Sequence, residues 1–155
     1  MTEAAMYKHI LISTDGSEIG QKGVDHGLAL AKNVGAKVTL VTVSEPFPIY
    51  AGAAAGPGWL PPPMATAEYE ASQKEAAIRT LADAKAAADR LGVDAETVYI
   101  AEAHPAEAIV DTAGKRHCDV IVMASHGRRG LRRLLLGSQT IEVLTHSPVP
   151  VLVVR

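Results

Sequence analysis

The stretch "ASHGRRGLRRLLLGSQT", Ala124 to Thr140, gathers residue types that handle phosphate: three glycines, four arginines and a Gly-Ser pair. Glycine admits backbone angles closed to other residues and lets a ligand come close to the main chain. Gly137-Ser138 stands at the start of a helical pattern. A helix start presents free N–H groups and the positive end of its dipole, and the serine hydroxyl adds a donor. A polyphosphate suits such a loop; a surface loop backed by a charged helix face suits the same composition. Two known phosphate loops are excluded. No Gly-Lys-Ser/Thr opens the helix, as a Walker A loop needs, and no G-x-G-x-x-G follows the first strand, as a dinucleotide fingerprint needs.

The second candidate is Asp15-Gly16-Ser17 in "STDGSE". An acid just beyond a strand can accept a hydrogen bond from a ribose hydroxyl or an adenine amine, or hold a magnesium-bound water. The same residues serve an Asx-turn or a helix cap. Of Arg128, Arg129, Arg132 and Arg133, one or two can neutralise phosphate while the rest form a solvated face. Leu134 to Leu136 pack the loop onto its support. His126 lies inside the loop, where it orients the chain or touches phosphate, and His104 precedes Pro105 at a strand end. His9, His26, His117 and His146 lack ligand spacing, so no structural metal is expected. Cys118 is the only cysteine, which rules out an intrachain disulfide; beside a strand start it reads as a buried, unreactive thiol. No Ser-His-Asp or Cys-His arrangement is present, so no catalytic residue is assigned.

These residues must be positioned by regular elements. Four short β-branched runs stand out: "HILIST" (9–14), "KVTLVTV" (37–43), "DVIVMAS" (119–125) and "VPVLVVR" (149–155), with a weaker fifth, "ETVYIAEA" (96–103). Near-continuous hydrophobicity marks strands covered on both faces. Helical spacing fills the gaps at 17–34, 68–91, 105–116 and 138–146. In the first, Ser17 is a cap and Gly35 a stop; in the second, Ile78, Leu81, Ala84, Ala88 and Leu91 recur every three or four residues. Strict β-α alternation predicts an α/β fold, one doubly wound domain over residues 1–155, with a parallel sheet and helices on both faces. Ligands of such sheets bind beyond the carboxyl ends of the strands.

One segment breaks the alternation. "EPFPIYAGAAAGPGWLPPPM" (45–64) is Gly/Pro/Ala-rich and is expected to hold no regular helix or central strand. It reads as a mobile insertion packing Phe47 and Trp59 on the surface, or as a flap over a neighbouring site.

Composition narrows the function class. A chain of 155 residues, 48% hydrophobic and 21% charged, is globular, and with 4% aromatics its core must be aliphatic. The net charge of −2 argues against a nucleic-acid-coating protein. No leader pattern and no apolar run of spanning length is visible, so a cytoplasmic protein with no membrane partner is expected.

The layout "ILISTDGSE" … "VTLVTVSEP" … "DVIVMASHGRRGLRRLLLGSQTIEVLTHSPVPVLVV" resembles the universal stress protein family, over the whole chain apart from 45–64. The nucleotide-binding members carry G-x2-G-x9-G-(S/T), which falls here on Ala124, Gly127, Gly137 and Ser138. The spacing is intact; the departure is Ala124 in place of glycine, which is harmless in an extended conformation and harmful if positive φ is needed. The resemblance implies a five-stranded sheet of order 3-2-1-4-5. It implies ATP as ligand, with Mg2+ or Mn2+ as a companion cation. Ser13, Thr14 and Asp15 would lie by the adenosine, and Val43 would meet the adenine through its backbone. Met123 and Ala124 would underlie the ribose and phosphates. Gly127, Gly137, Ser138, Gln139 and Thr140 would hold the phosphates, with His126 and Arg128 beside them. It also implies a homodimer through the strand at 149–155 and a further protein partner. The functional expectation is an ATP-binding stress-response module that senses nucleotide occupancy. A slow ATPase using Asp15 to orient water, and a nucleotide-free dimeric interaction protein, are the alternatives.

Overall fold

The computed structural model describes residues 6–127 and 135–155. Arg128, Arg129, Gly130, Arg132, Arg133 and Leu134, which carried part of the loop's sequence reading, lie outside the described residues. The elements run β1 (His9–Ser13), α1 (Glu18–Val34), β2 (Lys37–Val43), a 3-10 helix (Ile49–Ala55), α2 (Pro63–Leu91), β3 (Ala95–Ile100), α3 (Pro105–Lys115), β4 (Val120–Ala124), α4 (Ser138–His146) and β5 (Val151–Val154). All five strands join one sheet of order β3-β2-β1-β4-β5, every pair parallel. The expected α/β doubly wound topology is thus the observed one.

Two aliphatic layers hold the sheet, and strand alternation decides which side chain enters which layer. Ile10, Ile12 and Leu40 face α1 and α2, where Val24, Leu28, Leu81 and Ala88 meet them. Leu11, Val41, Ile121 and Met123 point the other way, onto Ile109 of α3 and Val143 of α4. The helix ends follow their local chemistry. Ser17 caps α1, its Oγ accepting from the Gly20 N–H at 3.1 Å, and Gly35 ends it at φ 71°.

α2 departs from expectation in two ways. It starts at Pro63 rather than Glu68, because a proline with preset φ at the first helical position opens a helix without losing a hydrogen bond. Its buried stripe is Ala77, Leu81, Ala84 and Ala88; Ile78 is 52% exposed and Leu91 stands at 36%. The segment 45–64 therefore holds more helix than its composition suggests, since the 3-10 turn at Ile49–Ala55 also lies within it. Its rings pack locally. A β-carbon at Gly52 would sit 1.9 Å from the Trp59 ring, so only glycine fits there, and Phe47 meets Tyr69 of α2 edge-on at 5.3 Å.

Candidate functional site

The strand order reverses between β1 and β4, and a cleft of about 370 Å3 opens there beyond the carboxyl ends of the strands. Its floor is Ser13, Thr14, Val43, Met123 and Ala124. The turn after β1 is built on Asp15. Oδ1 of Asp15 accepts both the Ser17 N–H at 2.9 Å and the Ser17 hydroxyl at 2.6 Å, and Ser17 passes the order on as the cap of α1. The carboxylate is closely enclosed: a β-carbon on Gly20 would lie 2.8 Å from Oδ1, and one on Gly127 would lie 2.7 Å from Oδ2. The Asx-turn reading of Asp15 holds, and the same residue lines the cleft.

The opposite wall is made where the end of β4 meets the start of α4. The Gly137 N–H donates to the Ser125 carbonyl at 2.8 Å. The Thr140 hydroxyl lies 3.0 Å from the Ala124 carbonyl and 3.2 Å from that of Ser125. These contacts draw the helix start against the strand end. Gly137, the cap residue of α4, has φ −62° and ψ 155° and no side chain, so it gives the first-turn N–H groups of α4 no side-chain cap where Ser138 and Gln139 line the cleft. His126 lines the same corner, its Nδ1 3.1 Å from the Ser125 hydroxyl. Ala124 belongs to β4 and pairs with Val154, and among the described residues only Glu102 and His117 are non-glycines with positive φ. Alanine at this position is therefore unstrained.

The universal stress protein family profile matches residues 6–155. This chain belongs to the universal stress protein family. A universal stress protein of Methanocaldococcus jannaschii, MJ0531, is 34% identical over 150 residues, covering 97% of this chain and 83% of the relative. The solved structure of MJ0577 from the same organism superposes with a TM-score of 0.78 at 30% identity, covering 96% of each chain. A universal stress protein solved in complex with cAMP has a TM-score of 0.67 at 23% identity over 96% of this chain and 97% of that one, which shows a shared fold.

In this universal stress protein, twelve of the residues singled out from sequence line one cleft: Ser13, Thr14, Asp15, Val43, Met123, Ala124, His126, Gly127, Gly137, Ser138, Gln139 and Thr140. Arg128 lies outside the described residues. Gln139 and Thr140 also have structural commitments. The Gln139 side-chain Oε1 accepts the Ala106 N–H at 3.0 Å and so caps α3 from a neighbouring helix. Thr140 is 2% exposed with its hydroxyl held by the Ala124 and Ser125 carbonyls, so it fastens the site rather than offering its side chain to a ligand. His104 is not part of the cleft lining; it pairs with Glu142 at 3.0 Å. Among the described residues of the segment 45–64, Glu45 reaches the lining.

Sequence reasoning missed the side walls. Gln73, Ala76, Ala77 and Thr80 of α2 present one helical face to the cleft, and Pro105 and Ile109 of α3 stand among the lining residues from the other layer. Small alanines on a helix read as ordinary packing, and nothing in their spacing marks a cavity. Gly20 was likewise silent, although it is the residue whose missing β-carbon makes room for Asp15.

Burial pushes the Cys118 thiol up to about 11, in keeping with an inert side chain. Among the described residues no group of three His, Cys, Asp or Glu is placed to hold a metal ion, and no helix is long and apolar enough to cross a membrane.

Proposed function

We propose that this universal stress protein binds ATP in the cleft at the β1/β4 reversal and acts as a stress-response module reporting nucleotide occupancy. The observation that carries the reading is the enclosure of the Asp15 carboxylate between Gly20 and Gly127, opposite the side-chain-uncapped start of α4. One end of the cleft offers an acceptor for ribose or base; the other offers N–H donors and a positive dipole end for phosphate. The small-residue spacing from Ala124 to Ser138 joins the two ends, and Ala124 in extended backbone leaves that spacing usable. A protein of the same fold has been solved in complex with cAMP, which supports an adenine nucleotide in this architecture. Mg2+ or Mn2+ would arrive with the phosphates, because the chain supplies no three-ligand cluster among its described residues.

The working assembly is a homodimer in the cytoplasm, paired through the strand at 149–155, and its occupancy is read by a further protein partner. Leu152 at the β5 edge is 39% exposed, with Ile141 at 50% and Leu144 at 42% on α4, an apolar set suited to a second copy. Replacement Leu152→Glu should then shift the species seen by analytical ultracentrifugation to monomer.

Calorimetric titration with Mg-ATP tests the nucleotide reading. Saturable binding that weakens in Asp15→Ala is expected. No heat of binding at millimolar ATP, with Ala124→Gly equally silent, would overturn it.

A further inference from the structure

The end of the sheet opposite the cleft carries a chain of polar side chains. His9 begins β1 and is 4% exposed. Its Nε2 lies 2.8 Å from the Thr39 hydroxyl on β2, and that hydroxyl lies 2.9 Å from Oε1 of Glu96 on β3. Glu96 meets the Arg116 guanidinium at 2.5 Å, immediately after α3. The polar chain thus threads three adjacent strands and ends on Arg116, just past α3, while the amino end of that helix, Pro105 and Ile109, walls the cleft.

The donors of this polar chain can be counted. Arg116 and Thr39 hold the Glu96 carboxyl below its usual range, so it is ionised and only accepts. The Thr39 hydroxyl must then donate to Glu96, and its lone pair takes the proton on His9 Nε2. A neutral imidazole supplies that one N–H, so the bonds to Thr39 and Glu96 are satisfied without charge on His9, and a second proton would place a charge on a side chain that is 4% exposed. Burial is the largest influence on His9 and the Lys37 ammonium the next, both disfavouring charge; the Arg116 carbonyl, Glu96 and Asp119 act more weakly in its favour. Cys118 lies within the same network, but its thiol stays protonated. Asp119 is already committed to the Lys8 and His9 N–H groups.

We propose that His9 is the acid-responsive link of a clasp that fastens β1, β2 and β3 to the carboxyl end of α3. Neutral His9 is the native form, and acid forces a buried charge into the clasp and loosens it. The sign follows from linkage. A histidine held below its unfolded value near 6.5 leaves stability intact above that value, and stability falls as pH drops through it. Glu96 and Asp119, both held low, lose their contribution only at more acidic pH, so the two windows separate.

The test measures Tm of the full chain between pH 8 and pH 5 for the wild type and for His9→Gln, whose amide N–H replaces the donor to Thr39 without titrating. The wild type should lose several degrees on acidification from neutrality, and His9→Gln should remove at least half of that fall. The His9 ring resonances should titrate with a midpoint below 6.5, with the amides of Thr39 and Arg116 shifting at the same midpoint. Equal pH slopes in the two proteins, or a His9 midpoint at or above the ordinary value, would overturn the proposal. Should His9→Gln fail to fold, the wild-type resonance titration decides alone. None of these readouts involves nucleotide, so they stand apart from the ATP reading.

Discussion

Asp15 and Gly127 are in such close approach that a β-carbon on the glycine would lie 2.7 Å from Oδ2 of the carboxylate. The two residues come from the turns after β1 and β4, more than a hundred positions apart, and they meet because those strands are neighbours in the sheet. Gly127→Ala should therefore displace Asp15 rather than merely stiffen a loop. ATP affinity is expected to fall at least tenfold, equivalent to about 1.4 kcal/mol, with a smaller loss of stability. Calorimetry on the variant, paired with a thermal melt, separates the two effects.

Gly20→Ala approaches the same carboxylate from α1, 2.8 Å from Oδ1. Alanine favours helix by about 1 kcal/mol over glycine, so propensity alone predicts a stabilised protein. The steric conflict predicts a protein no more stable than wild type and weaker in ATP binding. A higher Tm with unchanged affinity would show that Asp15 has room to move.

Ala124→Gly restores the glycine of the nucleotide-binding pattern. Because Ala124 lies in a strand paired with Val154, the change should leave ATP affinity within about twofold, or roughly 0.4 kcal/mol. It should also cost about 0.5–1 kcal/mol of stability through added chain entropy. Denaturant unfolding and calorimetry read the two numbers independently.

Thr140→Val keeps the shape of the side chain and removes the hydroxyl that holds the Ala124 and Ser125 carbonyls. Loss of about 1–3 kcal/mol is expected, since two acceptors are left without that donor at a buried position. Urea denaturation would register it, and faster hydrogen exchange at Gly137 would place the loosening where α4 meets β4.

Cys118, raised to about 11, should resist thiol reagents at pH 8 in the folded protein and react fully once the chain is unfolded. A stoichiometric reaction in native buffer at the rate of a free thiol would contradict its burial.

Much of this architecture was legible without coordinates. The two hydrophobic periods separate strands from helices because a strand turns alternate side chains to opposite layers and a helix turns every third or fourth to one. Ser17 and Gly35 announce the ends of α1 because orphaned N–H and C=O groups need local partners, and the chain supplies them locally. The start of α2 was misjudged because a run of prolines reads as irregular, although its last member suits a first helical turn. The stripe of α2 differs from its sequence reading at two places, Ala77 in for Ile78 and Leu91 left exposed, because size suggests core while packing decides it.

The site divides along the same line. Asp15, Gly127 and Gly137-Ser138 stand out in the sequence because each needs a particular residue type at its own turn or helix start. Their meeting in one cleft, the walls from Gln73, Ala76 and Thr80, and the polar chain that starts at buried His9 exist only in three dimensions. Those relationships join residues far apart in the chain, and the parallel register of β1 with β2 and β4 brings them together. The conformation of Ala124 belongs to the second group as well. Whether alanine is tolerated depends on pairing with Val154, thirty positions away, and no local pattern encodes that.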